Sequence, residues 1–248
     1  MKRTIIKFYS VIFLISAVLP AFSSPFQQST NSIAKQGLIS DPYSSNAVKY
    51  ESIIVLKDSA IKIERDTSFN QINTKLKAAA ERLKQNTASL AEYVRANDFN
   101  TEFCFMVDMS IPSGKKRFFV YNIKKDAVEL SSLVSHGSGS YKAGCNDLLV
   151  FSNVPNSYAT SLGKYKIGSA YTGQYGLSFK LYGLDSTNNN AYERAIVLHS
   201  DNYVPILETY PRHIYESAGC PIVSPNFLAV LDKYIKTSNK PILLWIYN

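Results

Sequence analysis

At Asp98 the hydropathy period of this 248-residue chain changes, and that change limits what it can fold into. From about Ser68 to Asn97, Ile72, Leu76, Ala79, Ala80, Leu83, Leu90 and Val94 recur at three-, four- or seven-residue steps between Lys, Arg and Glu, an amphipathic helical pattern. Asn86 to Ser89 is where it could divide into two helices. Beyond Asp98 the apolar runs become short. Phe103–Asp108, Phe118–Ile123, Val128–Val134, Tyr165–Gly168, Leu177–Tyr182 and Ala195–Leu198 are rich in Val, Ile, Phe and Tyr and read as strands, with Pro241–Tyr247 as a closing one. Nine of the 11 glycines fall between His136 and Cys220, where tight turns need positive φ. One helix returns at Ser224–Lys236, with Ser224 as N-cap, Pro225 at N1, and Phe227, Leu228, Leu231, Tyr234 and Ile235 on its buried face. The expectation is a mainly antiparallel β domain with an N-terminal helical region packed against it, because an isolated amphipathic face needs a partner.

The chain begins with a pattern of export. Lys2, Arg3 and Lys7 form a basic start, Val11 to Leu19 an apolar core, and Ala21-Phe22-Ser23 a small-residue cleavage site before Ser24. The apolar run is short for a membrane span, so a cleaved signal is favoured over an anchor and no stable membrane insertion is expected afterwards. Residues 24–67 read as a linker or poorly ordered arm, 68–98 as a helical region and 99–248 as the main β domain. The whole chain carries 27 Lys+Arg against 19 Asp+Glu; without the signal's three basic residues the excess is +5. No dense basic run marks a nucleic-acid groove, whereas a mild excess suits either solubility or an anionic wall polymer.

No phosphate-binding glycine loop stands between a strand and a helix, which leaves nucleotide binding without support. Three cysteines are too few for a disulfide scaffold. Two segments carry the chemistry instead. Ala195-Ile196-Val197-Leu198-His199-Ser200 is a buried-strand pattern containing a histidine, and Ser217-Ala218-Gly219-Cys220-Pro221 sets a cysteine in a small-residue turn before the Ser224 helix. A thiol needs a neighbouring base to become a competent nucleophile near neutral pH, and His199 is placed to be that base for Cys220. The amides of Ala218, Gly219 and Cys220 are candidate donors to an oxyanion. A lone Cys and a lone His are more often a buried small residue and a satisfied core side chain. The surrounding motifs decide between these.

Those motifs run in order: Val107-Asp108-Met109-Ser110 with Pro112-Ser113, Arg117-Phe118-Phe119-Val120, Val134-Ser135-His136-Gly137, Phe151-Ser152-Asn153, Ser161-Leu162-Gly163-Lys164-Tyr165, Tyr171 to Ser178, Leu181 to Leu184, Asn190-Ala191, Arg194, Ile196 to His199, and Ser217 to Pro221. From about Thr101 to its end the chain resembles the L,D-transpeptidase catalytic domain, in the subgroup termed murein L,D-transpeptidase catalytic domain-like. The resemblance implies an L,D-transpeptidase-like β-sandwich with Cys220 as nucleophile, His199 as base, the Ala218–Cys220 turn as oxyanion segment, and no cofactor. It also implies the partner and reaction: peptidoglycan stem peptides, with a tetrapeptide donor held as a thioester and a neighbouring stem's amine closing a 3–3 cross-link. Hydrolysis or D-amino-acid exchange on the same stems is the nearest alternative, and a non-catalytic wall-binding module the more distant one. Where the commonest family signature has S-H-G-C with a following Arg, this chain has Ala218 and Pro221, as in the S-x-G-C-P of the subgroup.

His136, Arg194, Ser217 and Tyr175 are the candidate substrate contacts, although a structural hydrogen bond is an equal reading of His136. Arg194, Lys164 and Lys180 could hold stem-peptide carboxylates or be ordinary surface charges, and Tyr165 and Tyr203 are further candidates near the cleft. His213 reads as a loop or lid residue. His136, His199, His213 and Cys220 could in principle hold zinc, but their spacings match no tight ligand pair, so no metal is expected. In an oxidising compartment Cys104 and Cys145 could form a disulfide and leave Cys220 free; Cys104 on a core strand could equally be a buried thiol.

Overall fold

The computed structural model describes residue 74 and residues 77–141 and 148–248. The signal and arm expected over residues 1–67, and Cys145, lie outside them. Residues 77–88 are helical (α1), the chain breaks at Ser89, and α2 spans Leu90–Ala96. The strands are β1 (Phe103–Asp108), β2 (Phe118–Asn122), β3 (Ala127–Ser132), β4 (Gly163–Gly173), β5 (Gly176–Gly183), β6 (Val197–Ser200), β7 (Ile222–Val223) and β8 (Leu243–Tyr247). Helix α3 (Pro225–Thr237) lies between β7 and β8, and the Ser224 hydroxyl caps it by accepting from the Phe227 N–H at 3.4 Å. Among the described residues no helix is long and apolar enough to cross a membrane.

All eight strands join in one sheet, ordered β3-β2-β1-β8-β4-β5-β6-β7. Pairing is antiparallel except at β1–β8 and β6–β7. The sheet closes on itself because the chain leaving β3 reaches the far edge. The Ser135 N–H donates to the Ile222 carbonyl at 2.9 Å, and the Ser217 N–H to the His136 carbonyl at 2.8 Å. The two layers of the expected sandwich are thus continuous through backbone hydrogen bonds.

Strand alternation fills the interior with Phe105, Val107, Phe118, Val120, Tyr165, Ile167, Phe179, Leu181, Leu198, Leu244 and Ile246, and α3 adds Leu228 and Leu231. The opposite face of β1 and β8 presents Cys104, Met106, Leu243 and Tyr247, and α2 covers it with Leu90 and Val94. Burying each such aliphatic side chain stabilises the fold by roughly 1.5–3 kcal/mol, which fastens the helices to the sheet. From α1, Arg82 grips the buried Asp108 carboxylate with Nε and Nη2 at 3.0 and 2.8 Å. Of the two readings of Cys104, this double covering matches the buried thiol. Cys104 is a fully buried free thiol directed at the Leu243 carbonyl, 3.4 Å away, and burial pushes its pKa far up.

Candidate active site

Cys220 and His199 meet because β6 and β7 run side by side. His199 pairs with Ile222 in parallel register, so Cys220, two residues earlier, lies beside Val197. The Val197 N–H donates to Cys220 Sγ at 3.4 Å, and Sγ stands 3.8 Å from the Ala195 carbonyl. Val197 and His199 share the face of β6 opposite the core residue Leu198. The His199 Nδ1 lies 3.2 Å from the Ser200 carbonyl. A carbonyl only accepts, so Nδ1 carries the proton and Nε2 keeps its lone pair. Tyr175, on the turn between β4 and β5, stacks on the imidazole with centroids 4.3 Å apart and planes at 18°.

Burial disfavours charge on both groups. Burial lowers the His199 pKa below its ordinary value, against the Ser200 carbonyl and Asp201, which raise it. Burial raises the Cys220 thiol, against the Val197 N–H and the Arg194 charge, which lower it. Sγ is turned towards the β6 backbone, and among the described residues no hydrogen bond links it to His199. Thiol–base geometry of this kind is often loose before substrate arrives.

The turn before Cys220 depends on glycine. Gly219 has φ +115°, and a Cβ there would meet the Ala159 carbonyl at 3.0 Å and Ile196 at 3.1 Å. The conformation also redistributes the expected oxyanion donors. The Gly219 N–H is committed to Ser217 Oγ at 3.0 Å, so Gly219 is removed from the donor set. The amides of Ala218 and Cys220 have no acceptor among the described residues and remain available.

The same bond corrects Ser217, whose buried hydroxyl holds the turn instead of facing a ligand. Arg194 is corrected too. Its Nη1 donates to the Ser152 carbonyl (2.9 Å) and Ser161 Oγ (3.2 Å), and its Nη2 to the Ala159 carbonyl (2.6 Å) and Ser157 Oγ (3.3 Å). That guanidinium clamps the 152–161 segment beside the turn, which leaves it little capacity for a substrate carboxylate. His136 is only 2% exposed and cannot line a donor site; its Nδ1 receives the Arg117 Nη2 at 2.9 Å. Lys164 is occupied with Asp185 and the Trp245 ring, and Tyr165 is buried against Ser161. Tyr203 lies exposed beside Tyr215, and His213 Nδ1 contacts Ser113 Oγ at 3.3 Å. Among the described residues no three His, Cys, Asp or Glu side chains converge as a metal site. Tyr175 alone of the four candidate contacts lies on the open face.

Sequence reasoning passed over the backbone groups at the sulfur and over Arg117, whose guanidinium also holds the Ile111 and Val134 carbonyls. An arginine entering a strand reads as surface charge, and nothing local signals its burial. The Ala195–Val197 segment that contacts Sγ also borders a cleft of about 480 Å³, lined further by Tyr171, Tyr175, Lys180 and Tyr192. Thiol, oriented imidazole, two open amides and a cleft can together hold an acyl group on sulfur.

The chain belongs to the L,D-transpeptidase catalytic domain family, whose family profile matches residues 74–247. That span takes in α1 and α2 as well as the sheet. No protein of curated function matches the sequence. Among solved structures, the chain is similar to an L,D-transpeptidase from Xylanimonas cellulosilytica (12% identity, TM-score 0.35, covering 63% of this chain and 68% of that one). It is also similar to the helical cell shape determining protein Pgp2 from Campylobacter jejuni (12%, 0.39, 59% and 48%) and to Bd1075 from Bdellovibrio bacteriovorus (17%, 0.37, 61% and 49%). The chain spans about half the length of these last two.

Proposed function

We propose that the chain is an exported, cysteine-dependent L,D-transpeptidase that joins peptidoglycan stem peptides through a thioester on Cys220. One observation supports the reading: the β6–β7 register brings the Cys220 turn beside the strand that carries His199, whose Nδ1 is directed to the Ser200 carbonyl and whose Nε2 keeps its lone pair. The His199 Nε2 takes the thiol proton as sulfur attacks the carbonyl carbon of the diaminopimelate–D-Ala bond. The carbonyl oxygen, now anionic, accepts from the Ala218 and Cys220 N–H groups. The C–N bond breaks, His199 returns its proton to the leaving D-Ala amine, and the stem remains on sulfur. An amine from a second stem then loses a proton to His199 and attacks the thioester, and the thiol is restored. Water in that role gives an L,D-carboxypeptidase. Export follows from the basic-apolar-small pattern of residues 1–23.

The test is muropeptide analysis of cells expressing the protein or its Cys220→Ala variant, with intact-mass detection of a carbapenem adduct on purified protein. The reading expects 3–3 dimers and a single adduct that vanish together in the variant. Equal 3–3 dimers and tripeptides in the two cell lines overturn it. Tripeptides without dimers would favour hydrolysis.

A further inference from the structure

The cleft bordered by the Ala195–Val197 segment contains one charged side chain. Lys180 of β5 pairs in register with Val197, the residue whose N–H holds Sγ. Alternation along β5 sends Phe179 and Leu181 into the core and Lys180 to the outer, cleft-facing side. Its Nζ lies 5.2 Å from the Tyr192 ring centroid and 5.8 Å from that of Tyr171. Tyr192 is itself braced by stacking on Tyr182, centroids 5.4 Å apart. Other lysines are already paired: Lys125 with Glu129, Lys164 with Asp185, Lys236 with Asp232. Among the described residues Lys180 has no carboxylate. Two aromatic faces limit where the ammonium can go without neutralising it, so it stays available to an anion entering the cleft.

We propose that Lys180 is a specificity-determining residue that receives a carboxylate of the donor peptide, with Tyr171 and Tyr192 holding its ammonium in place. This rests on the reading of Cys220 as a stem-peptide nucleophile and names the feature by which a donor is selected. Two donor carboxylates flank the scissile bond: the C-terminal one of D-Ala, and the one at the far end of the diaminopimelate side chain. Either presents the same chemistry to an ammonium.

Binding to the full-length Cys220→Ala protein separates selection from turnover. Calorimetry with a tetrapeptide stem bearing both carboxylates is compared with stems amidated at one or the other, on that protein and on versions also carrying Lys180→Gln or Lys180→Arg. Lys180→Gln is expected to weaken the free stem roughly ten-fold, and Lys180→Arg to recover most of it. Amidation of the recognised carboxylate costs the same factor when Lys180 is present and nothing further when it is Gln, which identifies the source. Binding within two-fold in Lys180→Gln, insensitivity to both amidations, or no binding of any stem overturns the proposal. If Lys180-dependent binding is found but wild-type protein neither forms an adduct nor releases D-Ala, the transpeptidase reading fails and the carboxylate site stands. If wild-type turns the stem over and Lys180→Gln is neutral, the reverse holds.

Discussion

Two buried histidines lie on either side of the same turn, and their protons sit on opposite nitrogens. His199 donates from Nδ1 to the Ser200 carbonyl, which leaves Nε2 basic. His136 faces the Arg117 guanidinium at Nδ1, and a guanidinium can only donate, so the His136 proton must be on Nε2. That Nε2 has no hydrogen-bond partner among the described residues; the Glu216 carboxylate is 4.0 Å away. Burial lowers both pKa values, but for His136 the Arg117 and His213 charges add to it and bring it down to about 3. One ring is covered by an exposed tyrosine and keeps a lone pair for chemistry; the other is sealed beneath the turn with its lone pair spent on an arginine. Burial of a histidine therefore says little about its role until the partner of each nitrogen is known.

The largest expected effect breaks this comparison if it fails. His199→Gln should slow Cys220 acylation about 10³-fold, and His136→Gln less than ten-fold, since a glutamine carbonyl can still accept from Arg117. Adduct formation followed by intact mass over time measures both, and similar losses would mean that the roles are misassigned. The wild-type pH profile adds a sign. His199 must be neutral to accept a proton and its pKa lies below 6.5, so acylation should decline only at pH below that value.

A stability measurement sharpens the contrast from the side of His136. An unfolded histidine binds a proton near pH 6.5, whereas the folded ring resists it down to about 3. The unfolded state thus binds more protons across that window, and stability is lost as pH falls from 6.5 towards 3. At about 1.4 kcal/mol per pH unit the loss approaches roughly 4 kcal/mol. Urea melts at pH 7 and pH 4 should show His136→Gln to be much less acid-sensitive than wild type, and parallel slopes would refute it.

The sequence shows some of this and hides the rest for physical reasons. Strand β1 matches its expected span, Phe103–Asp108, because an unbroken apolar run is what a strand covered on both faces requires. Helix α3 follows from Ser224 and Pro225. By contrast, Tyr165–Gly168 marks only the buried part of β4, which continues to Gly173 with both faces largely exposed and so without alternation. Strand β7 has two residues, too few for any period. At the site, residue types point to Cys220 and His199, but the capture of the Gly219 amide depends on φ +115° and a hydroxyl two residues back. The sealing of His136 and Arg117 depends on closure of the sheet, which no local pattern encodes.

Arg194 tests whether the open half of the comparison is held from outside. Arg194→Ala removes four charge-assisted bonds to the 152–161 segment and should destabilise the protein by roughly 2–3 kcal/mol, given partial exposure. It also removes the charge that lowers the Cys220 pKa, so the thiol should titrate higher still. Iodoacetamide reactivity against pH reads this directly: an inflection that stays put in Arg194→Ala would show that the guanidinium holds the loop without acting on the sulfur.

The smallest effect concerns the backbone under Sγ. Ala195 has φ 54°, a left-handed conformation that is unfavourable for a residue with a Cβ, and its carbonyl faces the thiol at 3.8 Å. Replacing it with glycine relieves that strain but adds chain entropy to the unfolded state, for a net stabilisation of about 1 kcal/mol or less. If the strained carbonyl serves to hold the resting thiol, Ala195→Gly loosens it, and acylation should change by no more than about three-fold while thermal stability rises slightly. A fall in stability would mean that the neighbouring Ala191–Ile196 hydrogen bond, 2.9 Å, relies on the alanine itself. The left-handed turn would then belong with the sealed histidine as structure, not with the open one as chemistry.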